Sequence, residues 1–275
     1  MTSSAGEATE RRKLEPPTAR SASTGVNATL RILDLLAAQG PLNLADLARD
    51  LGVPKSTVHR VCAVLVERAW AFRDADGRYH LGVRALRLGS LSSELPIVVA
   101  FRTVATGFLN ELDETIALAV LDGEESFYIA MEETSQPVRY VTRVGSRTPA
   151  FASASGRVVL ANQPPAAVES LFAGRALITP TGRRLGGTGE LLRILAEVRR
   201  QGYAENWDET ARGLYAASVP IVNAAGTTLA ALTTLVPLSR VSPERRESIV
   251  DALQTAARSL SELVSWAPAF SIQRS

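Results

Sequence analysis

Apolar residues recur at intervals of three and four between Asn27 and Ala69, and this pattern predicts three short helices. The first is expected to bury a broad stripe made of Leu30, Ile32, Leu33, Leu36 and Ala37. The second carries its apolar residues at Leu44, Leu47, Ala48 and Leu51. Gly40 and Gly52 follow these stretches, and glycine commonly ends a helix, so both helices have a predicted end.

The third helix has two chemically opposite sides. Its apolar side consists of Val58, Val61, Cys62 and Leu65. Its other side consists of Ser56, His59, Arg60 and Ala63, with Lys55 at the start. Cations, hydroxyls and imidazoles contact phosphates and base edges, so the pattern predicts a helix-turn-helix that enters the major groove of DNA. Two other interpretations stay open: an ordinary solvated basic face, and a winged helix that binds protein.

A β-hairpin is predicted directly after the third helix. Its two strands are Trp70–Arg73 and Arg78–Leu81, and its turn contains Asp76-Gly77. Arg73 and Arg78 lie beside the tip, where we expect them to contact the DNA backbone or the minor groove. Three helices followed by this hairpin make a winged helix-turn-helix domain, placed at residues 26–82.

The rest of the chain mixes strand-like and helix-like patterns. A helical linker is predicted at Val83–Leu95, within a segment placed at residues 83–96. Further helices are predicted at Ile97–Leu112, Ser155–Ala161, Pro165–Phe172, Gly189–Gln201 and Pro243–Trp266. Strands are predicted at Thr115–Leu121, Phe127–Met131, Val138–Val144, Tyr215–Val222 and Thr228–Leu235. Hairpin-like pairs indicate an α+β domain over residues 97–268, with an antiparallel sheet flanked by helices.

Composition and charge add little to this division. Residues 1–25 are polar, contain no apolar stretch typical of a signal peptide, and are expected to be a disordered arm. No run of about 18 apolar residues occurs, so we expect no membrane contact and a cytoplasmic location. Residues 1–92 hold 13 Lys and Arg against 9 Asp and Glu, whereas residues 93–275 hold 17 against 19. The basic excess of the first part is compatible with nucleic-acid binding.

The second part lacks the side chains that most enzymes of its size use. Residues 93–275 contain no His, no Cys and no Lys, and acyl-transfer nucleophiles usually need an adjacent base, most often His. We therefore expect no enzymatic activity, no catalytic residues, no cofactor and no metal, with a site built from carboxylates alone as the open alternative. Cys62, the one cysteine, lies on the apolar side of its helix and is expected to be a core residue rather than a redox sensor.

Several separated motifs resemble the IclR family of bacterial transcriptional regulators. They are LGVPKSTVHRVCAVLVERAWAFRD (51–74), YHLG (79–82), VGSRTPAFASASGRVVLA (144–161) and QGYAENWDETARGLYAASVPIVNAAGTTLAALTTLVP (201–237). Within these motifs, Val53 replaces the usual Leu, and Arg157 replaces the usual Lys. The resemblance runs from Asn27 to Val264. It implies a GAF-like effector domain after the winged helix, and a DNA-binding regulator whose operator affinity a small molecule changes.

The polar side of the third helix and the hairpin tip give the predicted DNA-binding residues, which are Lys55, Ser56, Thr57, His59, Arg60, Arg73 and Arg78. The resemblance implies the residues of the effector site, which are Ser153, Ala154, Ser155, Asn206, Ala216, Thr233 and Leu235. Asn206, Ala216 and Leu235 stand where members that bind small polar acids have Asp, Cys and Ser. We therefore expect a more apolar effector, such as an aromatic or longer-chain acid.

Three arginines, Arg143, Arg147 and Arg157, are candidates for the countercharge of such an acid. The alternative is that they pair with Glu132, Glu133 or solvent. Family members are dimers or tetramers, so the implied partners are a second copy of the chain and a palindromic operator in double-stranded DNA. A nucleoid protein that binds DNA without sequence preference is the other class to test.

Overall fold

A computed structural model describes residues 19–92 and 94–267 of the chain. These residues form two compact units whose boundary lies between Leu91 and Ser92. Of the predicted disordered arm, residues 1–18 lie outside the described residues, while residues 19–25 belong to a helix, so the prediction is wrong for that segment. Only Gly25 in this segment has a strongly unfavourable helix propensity, and a packed helix can extend backward through the others.

The first unit is helical with one small hairpin. Its elements are α1 (Ala19–Gln39), α2 (Leu44–Leu51), α3 (Lys55–Glu67), β1 (Ala71–Arg73), β2 (Tyr79–Leu81) and α4 (Val83–Ser92). Capping sets the ends of α2. The Asn43 Oδ1 accepts hydrogen bonds from the amides of Ala45 and Asp46, both at 2.9 Å. Gly52 follows with φ +66°, the left-handed conformation that glycine adopts without strain, and this confirms the predicted end.

One apolar core holds the first unit together. It contains Ala28, Ile32, Leu36, Leu47, Leu51, Val58, Val61, Cys62, Leu65 and Tyr79. The sequence pattern also places Leu30 and Ala37 in this core, and that prediction is wrong because both are exposed. The buried side of α1 follows a four-residue spacing from Ala28 through Ile32, which turns Leu30 to the far side of the helix.

The second unit contains five α-helices within its described residues. They are α5 (Pro96–Leu112), α6 (Ala154–Ala161), α7 (Pro165–Phe172), α8 (Thr188–Gln201) and α9 (Pro243–Leu263). The linker helix α4 ends at Ser92, three residues before the predicted end, because Pro96 forces Leu95 into an extended conformation with ψ 130°. No helix among the described residues has the length and apolar character that crossing a bilayer requires.

Six strands of the second unit form one sheet. They are β3 (Thr115–Asp122), β4 (Glu125–Glu132), β5 (Arg147–Pro149), β6 (Ala204–Trp207), β7 (Leu214–Val222) and β8 (Thr228–Pro237). The strand order is β5-β4-β3-β8-β7-β6, and all neighbours are antiparallel. This confirms the predicted antiparallel sheet with flanking helices.

The two faces of the sheet carry different helices. On β3, Ile116 and Leu118 pack into a core shared with α5 and α9, whereas Ala117 and Ala119 face a second core shared with α6, α7 and α8. The small alanines let α6 lie close to the sheet. Gly156 on α6 lies against the backbone just after β5, since a Cβ there would lie 2.3 Å from the Cα of Ala150.

The edges of the sheet differ from the sequence prediction. The predicted strand Val138–Val144 is wrong, because this segment lies outside every strand and exposes Val138, Val141 and Val144. These valines recur every third residue, which does not match the two-residue period of a strand. The short edge strands β5 and β6 have too few residues to show a period, and the sequence pattern misses both.

Gly156→Ala should lower the free energy of unfolding by about 2 kcal/mol or more, because overpacking against backbone cannot be relieved by a rotamer change. Gly189→Ala, also in a helix but in open space, is the matched control. It should raise that free energy by between zero and about 1 kcal/mol, since alanine favours a helix. Urea unfolding of both variants measures the difference, and equal stabilities would contradict the close approach.

Candidate DNA-binding and effector sites

Helix α3 separates the predicted DNA-binding residues from the core. Val58 and Cys62 are fully buried, and Val61 and Leu65 are nearly so. We call Lys55, Ser56, Thr57, His59 and Arg60 the recognition face. Four of them are exposed and Thr57 is half-buried. The buried side of α3 confirms the predicted core residues, and the opposite side offers cations, hydroxyls and an imidazole to solvent.

Arg31 fixes the turn between α2 and α3 in a way the sequence pattern did not show. Its guanidinium donates hydrogen bonds to the carbonyls of Asp50 and Leu51, both at 3.3 Å. These carbonyls lie at the end of α2, where no helical amide is available to them. Arg31 lies about twenty positions earlier in the chain, so no local spacing reveals the contact.

The hairpin after α3 has a defined tip. The Asp74 carboxylate accepts a hydrogen bond from the Arg78 amide at 2.8 Å and lies 2.7 Å from the His80 Nε2. These hydrogen bonds, the one with His80 first, lower the pKa of Asp74 below its ordinary value. His80 in turn stacks on Phe72 with ring centroids 4.5 Å apart. Contacts among Asp74, Phe72 and His80 therefore stabilise the wing.

The two wing arginines differ in their freedom. Arg73 is exposed, but its Nε donates to the Gly77 carbonyl at 3.1 Å and its guanidinium lies 5.7 Å from the centre of the Tyr79 ring. Arg78 is exposed beside the turn. Arg73 therefore has to leave its own hairpin, or use its remaining donors, to contact a phosphate, whereas Arg78 faces solvent already.

The sheet brings the predicted effector residues together. Asn206 on β6 pairs with Ala216 on β7, which pairs with Leu235 on β8. Thr233 lies two residues before Leu235 on the same face, and α6 contacts all three strands. We call the following residues the effector group: Ser153, Ala154, Ser155, Asn206, Ala216, Thr233 and Leu235. All of them are buried.

Hydroxyl groups that the sequence pattern missed complete this region. The Ser155 Oγ lies 2.7 Å from the Ser126 Oγ, and the Thr233 Oγ1 lies 2.8 Å from the Ser218 Oγ. Burial raises the pKa of Tyr128 to about 12, although a hydrogen bond with Ser155 opposes the shift. Ser126, Tyr128 and Ser218 lie on strands whose sequence is typical of a protein core. Only the pairing register of the strands shows that they face the effector group.

Asn206 uses both ends of its amide within the protein. Its Nδ2 donates to the Ala152 carbonyl, and its Oδ1 accepts from the Glu209 amide at 3.3 Å and from the Thr210 hydroxyl at 3.4 Å. The residue therefore connects β6 to the segment leading into α6. Ser153 also has a structural role, because its Oγ caps α6 by accepting a hydrogen bond from the Gly156 amide at 3.1 Å.

Two of the three candidate arginines have partners other than the predicted Glu132 and Glu133. Arg147 lies 2.6 Å from Asp122 and 3.2 Å from Glu125. Arg157 is almost fully buried and pairs with Glu209. Burial lowers the pKa of the Arg157 guanidinium, and Glu209 opposes that shift. Arg143 is exposed. The predicted pairing with Glu132 or Glu133 is therefore wrong for Arg147 and Arg157, because acids distant in sequence lie closer.

Two protein-family models match the chain. The model of the IclR helix-turn-helix domain matches residues 27–75. The model of the bacterial transcriptional regulator IclR C-terminal domain matches residues 90–262. Together they cover both units.

Individual relatives match along most of their length. The probable transcriptional regulator SauR of Cupriavidus necator is 31% identical over 232 residues, covering 82% of this chain and 91% of SauR. The structure of an IclR regulator from a Silicibacter species is 28% identical with a TM-score of 0.77, covering 88% and 96% of the two chains. An IclR homologue from Microbacterium hydrocarbonoxydans, in complex with 4-hydroxybenzoate, is 25% identical with a TM-score of 0.74, covering 88% and 100%.

Native Cys62 should resist thiol reagents. Burial raises the pKa of the thiol to about 11, so at pH 8 its thiolate fraction falls about a hundredfold below that of an ordinary cysteine. We expect Ellman's reagent to react at least about 100-fold more slowly with native protein than with urea-unfolded protein. The chain has one cysteine, so the signal is unambiguous. Native and unfolded rates within tenfold of each other would show that this side of α3 is not in a core.

Proposed function

The chain belongs to the IclR family of bacterial transcriptional regulators, and on that premise we propose that its recognition face contacts the bases of an operator while its effector group receives an organic acid. Like its relatives, it is a DNA-binding regulator and not an enzyme. The observation that carries the DNA-binding assignment is the arrangement of α3, with an apolar side in the core and a donor-rich side in solvent.

The recognition face suits the major groove. His59 and Arg60, near the middle of the exposed side, are placed to contact base edges, where Arg commonly binds guanine. Lys55, Ser56 and Thr57 lie at the helix start, where hydroxyls and cations commonly hold phosphates. Arg78, and Arg73 once it turns outward, contact the backbone beside the groove. These roles are supported by the exposure of the side chains and by the docking geometry of winged helices.

Two copies of the chain are proposed to act together. A helix-turn-helix dimer places its recognition helices one helical turn of DNA apart, so a homo-oligomer of this chain would bind a palindromic operator. Its DNA target places the protein in the cytoplasm. Ligand binding shifts the population between arrangements with different operator affinity, and such coupling typically amounts to about 1–3 kcal/mol.

The effector is proposed to be an aromatic carboxylic acid. The Microbacterium relative binds 4-hydroxybenzoate, a molecule with one carboxylate, one hydroxyl and an apolar ring. In the effector group, Ala154, Ala216 and Leu235 supply apolar walls, while the hydroxyls of Ser155 and Thr233 supply polar contacts. An aromatic ring can pack against these three apolar side chains while the hydroxyls bond its polar groups, as is typical of sites for such ligands.

Arg60→Ala should weaken binding to the operator by about tenfold or more, because one good base or phosphate contact contributes about 1–3 kcal/mol. The operator is first selected from random duplexes by the purified protein, and fluorescence anisotropy then gives the affinities. Arg258→Ala, which removes an exposed arginine on α9, is the matched control and should leave affinity within twofold.

The same experiment separates a regulator from a nucleoid protein. The selected operator should bind about 10³-fold or more tightly than random DNA of equal length. Failure to enrich any sequence would support the nucleoid interpretation. Equal operator affinities of the Arg60 and Arg258 variants would remove Arg60 from the recognition face.

4-Hydroxybenzoate should bind the full chain more tightly than pyruvate, since its ring can pack against Ala154, Ala216 and Leu235. Isothermal titration measures both, and the thermal midpoint should rise with ligand because only the folded protein binds it. Benzamide controls for ring binding without a carboxylate. Tight binding of pyruvate together with weak binding of the aromatic acid would contradict the proposed effector class.

A further inference from the structure

A buried carboxylate connects three segments around the effector group. Glu209 lies in the turn between β6 and β7 and is 6% exposed. Its two oxygens accept hydrogen bonds from Arg157 on α6 and from Arg183 in the loop before α8. Its backbone carbonyl accepts from the Thr181 hydroxyl at 3.1 Å. Glu209 thus connects α6, the β6–β7 turn and the loop before α8.

Two side chains that contact Glu209, those of Arg157 and Asn206, hold the segment that leads into α6. Arg157 donates from Nε to the Phe151 carbonyl at 2.8 Å. Asn206 donates to the next carbonyl, that of Ala152. Asn206 is itself oriented by the Glu209 amide at 3.3 Å. The carbonyls of two consecutive residues, immediately before Ser153, are therefore held by side chains that Glu209 orients.

The identity of residue 157 fits this arrangement. Arg157 bonds the Phe151 carbonyl, the Glu205 carbonyl at 3.4 Å and the Glu209 carboxylate at the same time. A guanidinium has five donors in a planar fork spread over three nitrogens, whereas a lysine carries its three donors on one nitrogen and bonds only acceptors that surround that single atom. Such a buried pair is sensitive to the loss of either partner, since the remaining charge is left in a low-dielectric surrounding.

We propose that Glu209 is a positioning residue of the effector site. Through Arg157 and Asn206 it sets where the segment 151–153 lies, and with it the positions of Ser153 and Ser155. This inference rests on the proposed function, because it assumes that these serines belong to the effector site. Asn206 then acts on the ligand through the backbone it holds, and not by direct contact.

Glu209→Gln tests the inference, because it keeps the shape of the side chain and removes its charge. Glu190→Gln is the matched control: Glu190 lies 3.7 Å from the same Arg183, and it acts on Arg157 through its charge alone, whereas Glu209 also accepts a hydrogen bond from Arg157. Glu209→Asp keeps the negative charge on a side chain that is one methylene shorter. It should give an intermediate result, and it replaces the glutamine variant if that one does not fold.

Amide hydrogen exchange of the full chain is the first measurement. In Glu209→Gln the amides of residues 152–156 should exchange about tenfold faster or more, as expected when a hydrogen bond to a charged group is lost. Amides of the central strand β8 should keep their protection, and Glu190→Gln should match the unchanged protein at residues 152–156 and at β8. Unchanged exchange at residues 152–156, or an equal increase at β8, would overturn the local positioning role.

Binding of 4-hydroxybenzoate is the second measurement. Glu209→Gln should weaken it about tenfold or more, while Glu190→Gln should stay within twofold. Equal affinity of the glutamine variant and the unchanged protein would overturn the inference even if exchange increases. If the unchanged protein binds no aromatic acid, the proposed effector class fails, and the exchange result alone decides whether Glu209 positions the segment.

Discussion

The DNA-binding unit depends on the burial of one side of α3. Val58 and Cys62 are fully removed from solvent, and burying such side chains contributes about 1.5–3 kcal/mol each. Because α3 is held from this side, its orientation relative to α1 and α2 is fixed before DNA is present, and its polar side cannot turn inward. Arg31 and the capped end of α2 hold the preceding turn. The recognition face is thus preorganised by packing, which lowers the conformational cost of binding.

The second unit is constrained mainly by the need of its buried polar groups for hydrogen-bond partners. The effector group is surrounded by hydroxyls, an amide and an ion pair that already bond one another, as Ser155 does with Ser126 and Arg157 with Glu209. The proposed ligand would therefore have to replace these contacts and not merely occupy a gap. Binding would then be coupled to a movement of α6, since Ser155 and the segment before it supply contacts that hold this helix in position.

The sequence predicts periodic features well and long-range polar contacts poorly. The opposite sides of α3, the hairpin at residues 70–81 and the antiparallel sheet follow from spacing that acts within a few residues. The strand expected at Val138–Val144 fails because its valines recur every third residue, a spacing that does not match the alternating faces of a strand. The pairing of Arg157 with Glu209 joins residues 52 positions apart, and no periodicity encodes such a contact. The effector residues could be placed from the family resemblance, but their mutual hydrogen bonds depend on strand register.

The central claim is that the solvent side of α3 lies against DNA. A benzophenone side chain placed at position 59, on the recognition face, tests this by ultraviolet cross-linking to the selected operator. Position 34, exposed on α1, carries the same group as the reference. The account predicts a covalent protein–DNA product from position 59 and little or none from position 34. Equal yields from the two positions, or no product from position 59 in a complex that still binds its operator, would contradict it.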